Sequence, residues 1–231
     1  MGTIISGDKI VQSKYVAFFD LDHTLTNSIS GKALAIGAYR KKWLSSFDLL
    51  NAIWLSLLFR LRLRDELEII NSMVSWVKNI PERDYIELCL EIFNDEILPS
   101  TFKEARAEIE VHRANKARLV ILSSALKPIC EAMSTDLKID DILCSDLEVK
   151  NGFMTGRPLG QLCFAEEKEK RLISYCIANG FTQSEAWYYG DSISDLPALK
   201  VVGNPVCVNP DNKLKRKATG YGWPIRLWKT S

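Results

Sequence analysis

Apolar residues in this chain follow two periods, and the two are segregated along it. Tyr15-Val16-Ala17-Phe18-Phe19 and Arg118-Leu119-Val120-Ile121-Leu122 are short, nearly unbroken apolar runs, the pattern of strands buried on both faces of a parallel sheet. Asp141 to Cys144, Ala186-Trp187-Tyr188-Tyr189 and Pro205-Val206-Cys207-Val208 repeat it. Between the first two runs the strand signal disappears. Residues 31–63, 65–79 and 82–96 instead carry apolar positions at helical spacing, such as Leu67, Ile70, Val74 and Val77. Pro81 suits the start of the last of these, and Pro99-Ser100-Thr101 opens a further helix reaching about Asn115. Later helices are predicted from about Pro128, over Glu166 to Asn179 with Gly180 as its stop, over Asp195 to Val201, and over Leu214 to Thr219. Leu147-Glu148-Val149 and Phe153-Met154-Thr155 flank Asn151-Gly152, a strong hairpin signal.

Strands alternating with helices from about residue 100 onward predict an α/β fold with a parallel sheet. The helical block is inserted after the first strand. The chain therefore divides into a catalytic core, residues 1–26 and 101–231, and an all-helical cap, residues 27–100, lying over the C-terminal edge of the sheet. A length of 231 residues accommodates one such core with its insertion.

Composition narrows the function classes. The net charge of +1 supplies no global attraction to nucleic acid or to acidic membranes, so no nucleic-acid partner is expected. Lys213, Lys215, Arg216 and Lys217 read as the solvated face of a terminal helix. The six cysteines are scattered without metal-binding spacing and predict reduced core thiols in the cytoplasm. With His23 and His112 as the only histidines, a His-rich zinc site is not expected. Met1 to Ser6 formally fits an N-myristoylation start, a pattern short enough to arise by chance. Trp43 to Leu61 carries no charge before Arg60 except Asp48, but Ser45, Ser46, Asn51 and Ser56 weaken a membrane span. A buried or amphipathic helix is the expectation, with peripheral membrane contact through the cap as the alternative.

The chemistry gathers where strands end. Asp20 and Asp22 follow the first strand, two residues apart and so on one side of the backbone, at the edge where open α/β sheets build their sites. Two close carboxylates repel unless a cation or a shared proton relieves them. Thr24 adds a hydroxyl suited to an oxyanion, as do Ser123 and Ser124 after the second strand; strand phase only modestly favours Ser123. Lys168 lies near the start of a helix, and Gly190-Asp191-Ser192-Ile193-Ser194-Asp195 follows a later strand. Phosphoryl transfer employs all of them. Asp20 can attack phosphorus, and Asp22 can protonate the leaving alkoxide and then deprotonate the water that cleaves the acyl-phosphate. Lys168 and Ser123 meet the phosphate charge. Mg²⁺ suits Asp20, a backbone carbonyl and Asp191, because it prefers oxygen ligands and keeps much of its water.

These motifs resemble those of the haloacid dehalogenase superfamily: Phe19-Asp20-Leu21-Asp22-His23-Thr24-Leu25-Thr26, Leu122-Ser123-Ser124, Lys168, and Gly190-Asp191-Ser192-Ile193-Ser194-Asp195-Leu196-Pro197. The cap between the first two motifs is similar to the phosphoserine-phosphatase-like subfamily IB. Gly156-Arg157, Cys163-Phe164, Val208-Asn209-Pro210-Asp211 and Gly222-Trp223-Pro224-Ile225 resemble a bacterial branch of it. The resemblance implies a Rossmann-like, three-layer α/β/α core. It also implies Asp20 as nucleophile, Asp22 as acid/base, and Mg²⁺ held by Asp20, the Asp22 carbonyl and Asp191. Asp195 would support the metal waters and Lys168. Phosphoserine phosphatases carry an acid shortly after the first motif to hold the substrate amine; here the equivalent is near Ile29, which argues against phosphoserine.

The expected activity is a Mg²⁺-dependent phosphomonoester phosphatase acting on a small phosphorylated metabolite or a lipid phosphate. The apolar stretch Trp43 to Leu61 motivates the lipid option, a phosphatidylglycerophosphate-like ester among them. A phosphotransferase or mutase would use the same residues and exclude water. A phospho-accepting signalling module also combines Asp, Mg²⁺, a hydroxyl and Lys, but needs neither Asp22 nor the helical insert. Oligomeric state has no sequence signal here.

Overall fold

A six-stranded, wholly parallel sheet forms the centre of the molecule, in the computed structural model, which describes residues 13–47, 50 and 74–229. Its strands are β1 (Val16–Phe19), β2 (Arg118–Leu126), β3 (Asp141–Ser145), β6 (Trp187–Gly190), β7 (Asn204–Val208) and β8 (Ile225–Arg226), in the order β3-β2-β1-β6-β7-β8. A separate antiparallel hairpin is made by β4 (Leu147–Lys150) and β5 (Phe153–Pro158), turning at Asn151 and Gly152, both with positive φ. The helices are α1 (Ser30–Arg40), α2 (Glu82–Ile92), α3 (Lys103–Ala114), α4 (Lys127–Leu137), α5 (Glu166–Asn179), α6 (Leu196–Val201) and α7 (Asn212–Tyr221).

The apolar runs are buried on both faces because alternate residues serve two cores. Ala17, Phe19, Leu119, Ile121 and Tyr189 pack with α1 to α4. Val16, Phe18, Val120, Leu122 and Tyr188 pack with α5, α6 and α7. Full burial of residues such as Phe18 or Leu122 contributes roughly 2 kcal/mol each. The result is a three-layer, Rossmann-like core with an inserted helical cap. Because β1 has β2 on one side and β6 on the other, the chain direction of the connections reverses beside β1, and its C-terminal edge is the topological switch point.

Three predicted elements differ. The helical spacing over 31–63 is interrupted, because α1 stops at Arg40: Lys42 adopts φ +60°, and Trp43 N–H donates to the Ala38 carbonyl, closing the helix end. Leu44 is still buried beyond this turn, so the apolar period continues across the break and conceals it. The helix expected over 82–96 is α-helical only to Ile92 and continues as a π turn over Phe93–Ile97. The strand expected to end at Leu122 runs on to Leu126, with a register shift against β3 between Ser123 and Leu126. Strand β8 was not anticipated. The 65–79 helix falls mostly, and Trp43 to Leu61 and Met1 to Ser6 partly or wholly, outside the described residues.

Helices α1 and α2 pack closely on each other, and the hairpin packs on the segment that precedes α2. Gly37 on α1 lies so close to α2 that an added Cβ would meet Ile92 Cδ1 at 2.7 Å. The hairpin is laced to the segment before α2: Asn79 N–H donates to Met154 O (2.9 Å), Met154 N–H to Ile80 O (2.9 Å) and Glu82 N–H to Gly152 O (3.0 Å). No helix among the described residues is long and apolar enough to cross a membrane.

Candidate active site

Asp20 leaves β1 at the switch point, its N–H still bonded to Tyr189 O of β6 at 2.9 Å, so the sheet itself fixes where its carboxylate stands. One oxygen, Oδ1, accepts the Leu21 N–H at 2.8 Å; the other, Oδ2, meets Lys168 Nζ at 2.9 Å. Leu21 turns into the core, and its carbonyl accepts the N–H groups of Thr24, Leu25 and Thr26, which folds the first motif into a tight turn with His23 at φ +56°. The turn leaves the Thr24 hydroxyl fully buried without a hydrogen-bond partner among the described residues. A buried orphan hydroxyl costs on the order of 1–3 kcal/mol and is suited to meeting a polar ligand.

Lys168 is 1% exposed, although it stands among charged residues near a helix start. Its ammonium lies between Asp20 and Asp195, at 2.9 and 2.6 Å, and donates to Tyr188 Oη at 3.2 Å. Asp195 is completely buried and saturated. Oδ1 accepts from Lys168 and, at 2.7 Å, from Tyr188 Oη–H; Oδ2 accepts the N–H groups of Ser192 (3.0 Å) and Asp191 (3.2 Å). Gly190 makes room for it, since a Cβ there would sit 2.8 Å from Asp195 Cγ.

Asp20, Asp191 and Asp195 each present a carboxylate oxygen within 4.8 Å of the others. Asp195 has no oxygen to spare, so Asp20 and Asp191 are the two carboxylates that could hold a cation, with Asp195 bracing the loop. Electrostatics asks for one. Burial, with Asp195 and Asp20 close by, pushes the Asp191 carboxyl well above the usual carboxylate range. Burial also raises Asp20, against the pull of Lys168 and a hydrogen bond from Ser123. Burial opposes the charge on Lys168, but Asp195 and Asp20 outweigh it and hold the ammonium firmly protonated. With all groups ionised, three carboxylates face one ammonium, and the two surplus negative charges match a divalent cation.

Asp22 stands apart from this cluster. Its Oδ1 accepts the Ser30 N–H at 3.0 Å and its Oδ2 the Ser30 hydroxyl at 2.9 Å. Helix α1 has no side-chain cap of its own and no acid in its first turn, so Asp22 caps it from outside. Exclusion of water raises the Asp22 carboxyl to about 7, against those two bonds. A carboxyl titrating there can both give and take a proton near neutrality. Ser123 is buried and bonded to Asp20, whereas Ser124 on the same strand faces solvent.

Of the residues singled out in the sequence, Asp20, Ser123, Lys168, Asp191 and Asp195 come together, with Asp22 and Thr24 on the adjoining turn, and Ser124 does not join them. Three others were missed. Ser30 opens α1 and carried no motif. Tyr188 shows only a strand pattern in the sequence, although alternation places it opposite Tyr189, on the α5 side. Asp211 donates its N–H to Asp191 O (2.8 Å), accepts the Ile193 N–H (2.8 Å) and caps α7 through Lys213 and Leu214 N–H, so it fixes the loop that carries Asp191. Its helix-cap position in Asn209-Pro210-Asp211 was a usable signal.

Known proteins share this architecture. A probable phosphatase of Mycobacterium tuberculosis is 26% identical over 232 residues, covering 95% of this chain and 77% of that protein. An inhibition of morphological differentiation protein of Streptomyces azureus is 27% identical over 213 residues, covering 90% and 76%. Among solved structures, a Bordetella pertussis protein of unknown function superposes with a TM-score of 0.83 at 21% identity, over 93% of this chain and 98% of that one. A phospho-aspartyl intermediate analogue of phosphoserine phosphatase gives 0.72 at 19%, over 94% of each. The family model of haloacid dehalogenase-like hydrolases matches residues 17–200, which contain every residue of the carboxylate–lysine cluster, and this chain belongs to that family.

Proposed function

We propose that the chain is a Mg²⁺-dependent phosphomonoester phosphatase that works through an aspartyl-phosphate on Asp20. The observation that carries this reading is the buried Lys168 ammonium, 2.9 Å from Asp20 Oδ2, with Asp191 alongside. Asp20 attacks the phosphoryl group; Lys168, the Ser123 hydroxyl and the Thr24 hydroxyl meet its oxygens. Asp22 gives its proton to the departing alkoxide, then takes one from the water that opens the acyl-phosphate. Asp20, the Asp22 carbonyl and Asp191 would hold Mg²⁺, which supplies neutralising charge at the phosphoryl group. Residues 27–100 act as the cap that selects the alcohol portion of the ester, and residues 1–26 with 101–231 as the core that handles the phosphate. Six free cysteines support a cytoplasmic setting.

The test is a panel of phosphate esters, sugar, amino-acid and lipid phosphates together, assayed for phosphate release with and without Mg²⁺. Release from at least one class that stops on chelation is expected. Transfer to an added alcohol without release would indicate a phosphotransferase. A phosphorylated protein stable for minutes with no turnover would indicate a signalling module and overturn the proposal.

Ser30 supplies a finer check, because it aims Asp22. Ser30→Ala is expected to lower kcat on alkyl phosphates about tenfold while sparing the first turnover of p-nitrophenyl phosphate, whose leaving group needs no proton. Ser30→Thr, which keeps the hydroxyl, is expected to stay near wild type. Equal losses on both esters would contradict the orienting role.

A further inference from the structure

Tyr188 and Tyr189 are neighbours on β6, both completely buried and both hydrogen-bonded, yet they face opposite layers. Tyr189 Oη bonds to His112 Nε2 (2.8 Å) and donates to Glu108 Oε1 (2.6 Å), among the helices on one side of the sheet. Tyr188 Oη lies on the other side, within the carboxylate–lysine cluster. It donates to Asp195 Oδ1 at 2.7 Å and accepts from Lys168 Nζ at 3.2 Å. Lys168 bonds to that same Asp195 oxygen at 2.6 Å, so phenol, carboxylate and ammonium close a ring of three.

The ring has a mechanical consequence. A lysine side chain is a flexible stem ending in a point charge, and its usefulness to an anion depends on where that charge is held. In a buried site the ammonium is drawn to whichever carboxylate is least satisfied. The Tyr188 hydroxyl satisfies part of Asp195 Oδ1, which weakens the claim of Asp195 on Lys168, and it restrains the ammonium from a third direction. Asp20 stands at the opposite end of this tug.

We infer that Tyr188 is a positioning residue for phosphate binding: its hydroxyl, bonded to both Lys168 and Asp195, holds the ammonium toward Asp20, where a phosphoryl group would arrive. This rests on the phosphatase reading above. Without the hydroxyl, Lys168 would settle onto Asp195 and meet the phosphate less well, although every charged group remained.

The test pairs Tyr188→Phe with Tyr189→Phe. Each loses a buried phenolic hydroxyl from the same strand, so a purely structural role predicts like effects. Inorganic phosphate is used as a competitive inhibitor of the best ester found. Tyr188→Phe is expected to raise the inhibition constant for phosphate, and KM with it, about tenfold; Tyr189→Phe is expected to lose thermal stability with that constant unchanged. If the two variants bind phosphate as tightly as each other, the inference fails. A wild type that neither releases nor binds phosphate would instead sink the phosphatase reading. Should Tyr188→Phe not fold, 3-fluorotyrosine at 188, which retains the hydroxyl, gives a second readout. Its ¹⁹F resonance should move on phosphate addition while the same label at 189 stays put, and a label at 188 that ignores phosphate would overturn the assignment.

Discussion

Asp20→Asn is expected to reduce turnover by roughly four to six orders of magnitude, the scale seen when a covalent nucleophile is removed and only binding and electrostatics remain. The fold should survive. Asn fills the same space and can still accept the Leu21 N–H that Asp20 Oδ1 accepts, and Lys168 retains Asp195. Asp20 is a buried carboxylate raised by burial and by its neighbour Asp195, so its neutral replacement should leave the metal-free protein no less thermally stable than wild type. Activity would then be lost without stability, the separation that distinguishes a nucleophile from a structural acid. Circular-dichroism melts beside steady-state assays measure both. Retained turnover, or a variant that loses activity only by unfolding, would remove the nucleophile assignment.

Asp22→Asn has a different expected signature, because Asp22 would act twice. Its carboxyl, raised to about 7 and held by Ser30, supplies the proton for the leaving alkoxide and then removes one from water. An amide does neither. The loss on alkyl phosphates is expected at about 10² to 10⁴-fold, the usual range for general acid–base catalysis. On p-nitrophenyl phosphate, whose leaving group departs unaided, phosphorylation of Asp20 should still occur and hydrolysis should stall. One equivalent of nitrophenolate would appear in a burst, followed by a slow phase. A variant with no burst and equal loss on both esters would show that Asp22 is needed before phosphorus is transferred, and its second role would fall.

Much of the site was legible because its residues sit where the backbone pattern changes. Asp20 and Asp191 end apolar runs, and a parallel sheet puts such positions on one edge, so proximity followed from topology. Lys168 was legible only jointly with them. On a helix start rich in Glu166, Glu167 and Glu169 it looks like a solvated charge, and its 1% exposure depends on packing that no local pattern encodes. The choice between Ser123 and Ser124 waited on β2 continuing to Leu126, which keeps Ser123 inward and turns Ser124 outward. Ser30, Tyr188 and Asp211 act by hydrogen bonds across 8, 20 and 18 positions respectively, to Asp22, Lys168 and Ile193, separations at which periodicity is silent. Helix α1 shows the converse failure. The apolar period runs past Arg40 because Leu44 is buried after the turn, and burial pattern alone cannot distinguish a continued helix from one that stops at a turn.

The claim beneath all of this is that Asp20 carries phosphorus covalently. Asp22→Asn protein, mixed with ³²P-labelled p-nitrophenyl phosphate and Mg²⁺ and quenched in acid during the slow phase, tests it most directly. Proteolysis and peptide mapping should recover the label on the peptide containing Asp20 in near-stoichiometric yield, and none from Asp20→Asn run in parallel. Label on another residue, or ester consumed with no labelled protein at any time, would contradict the account.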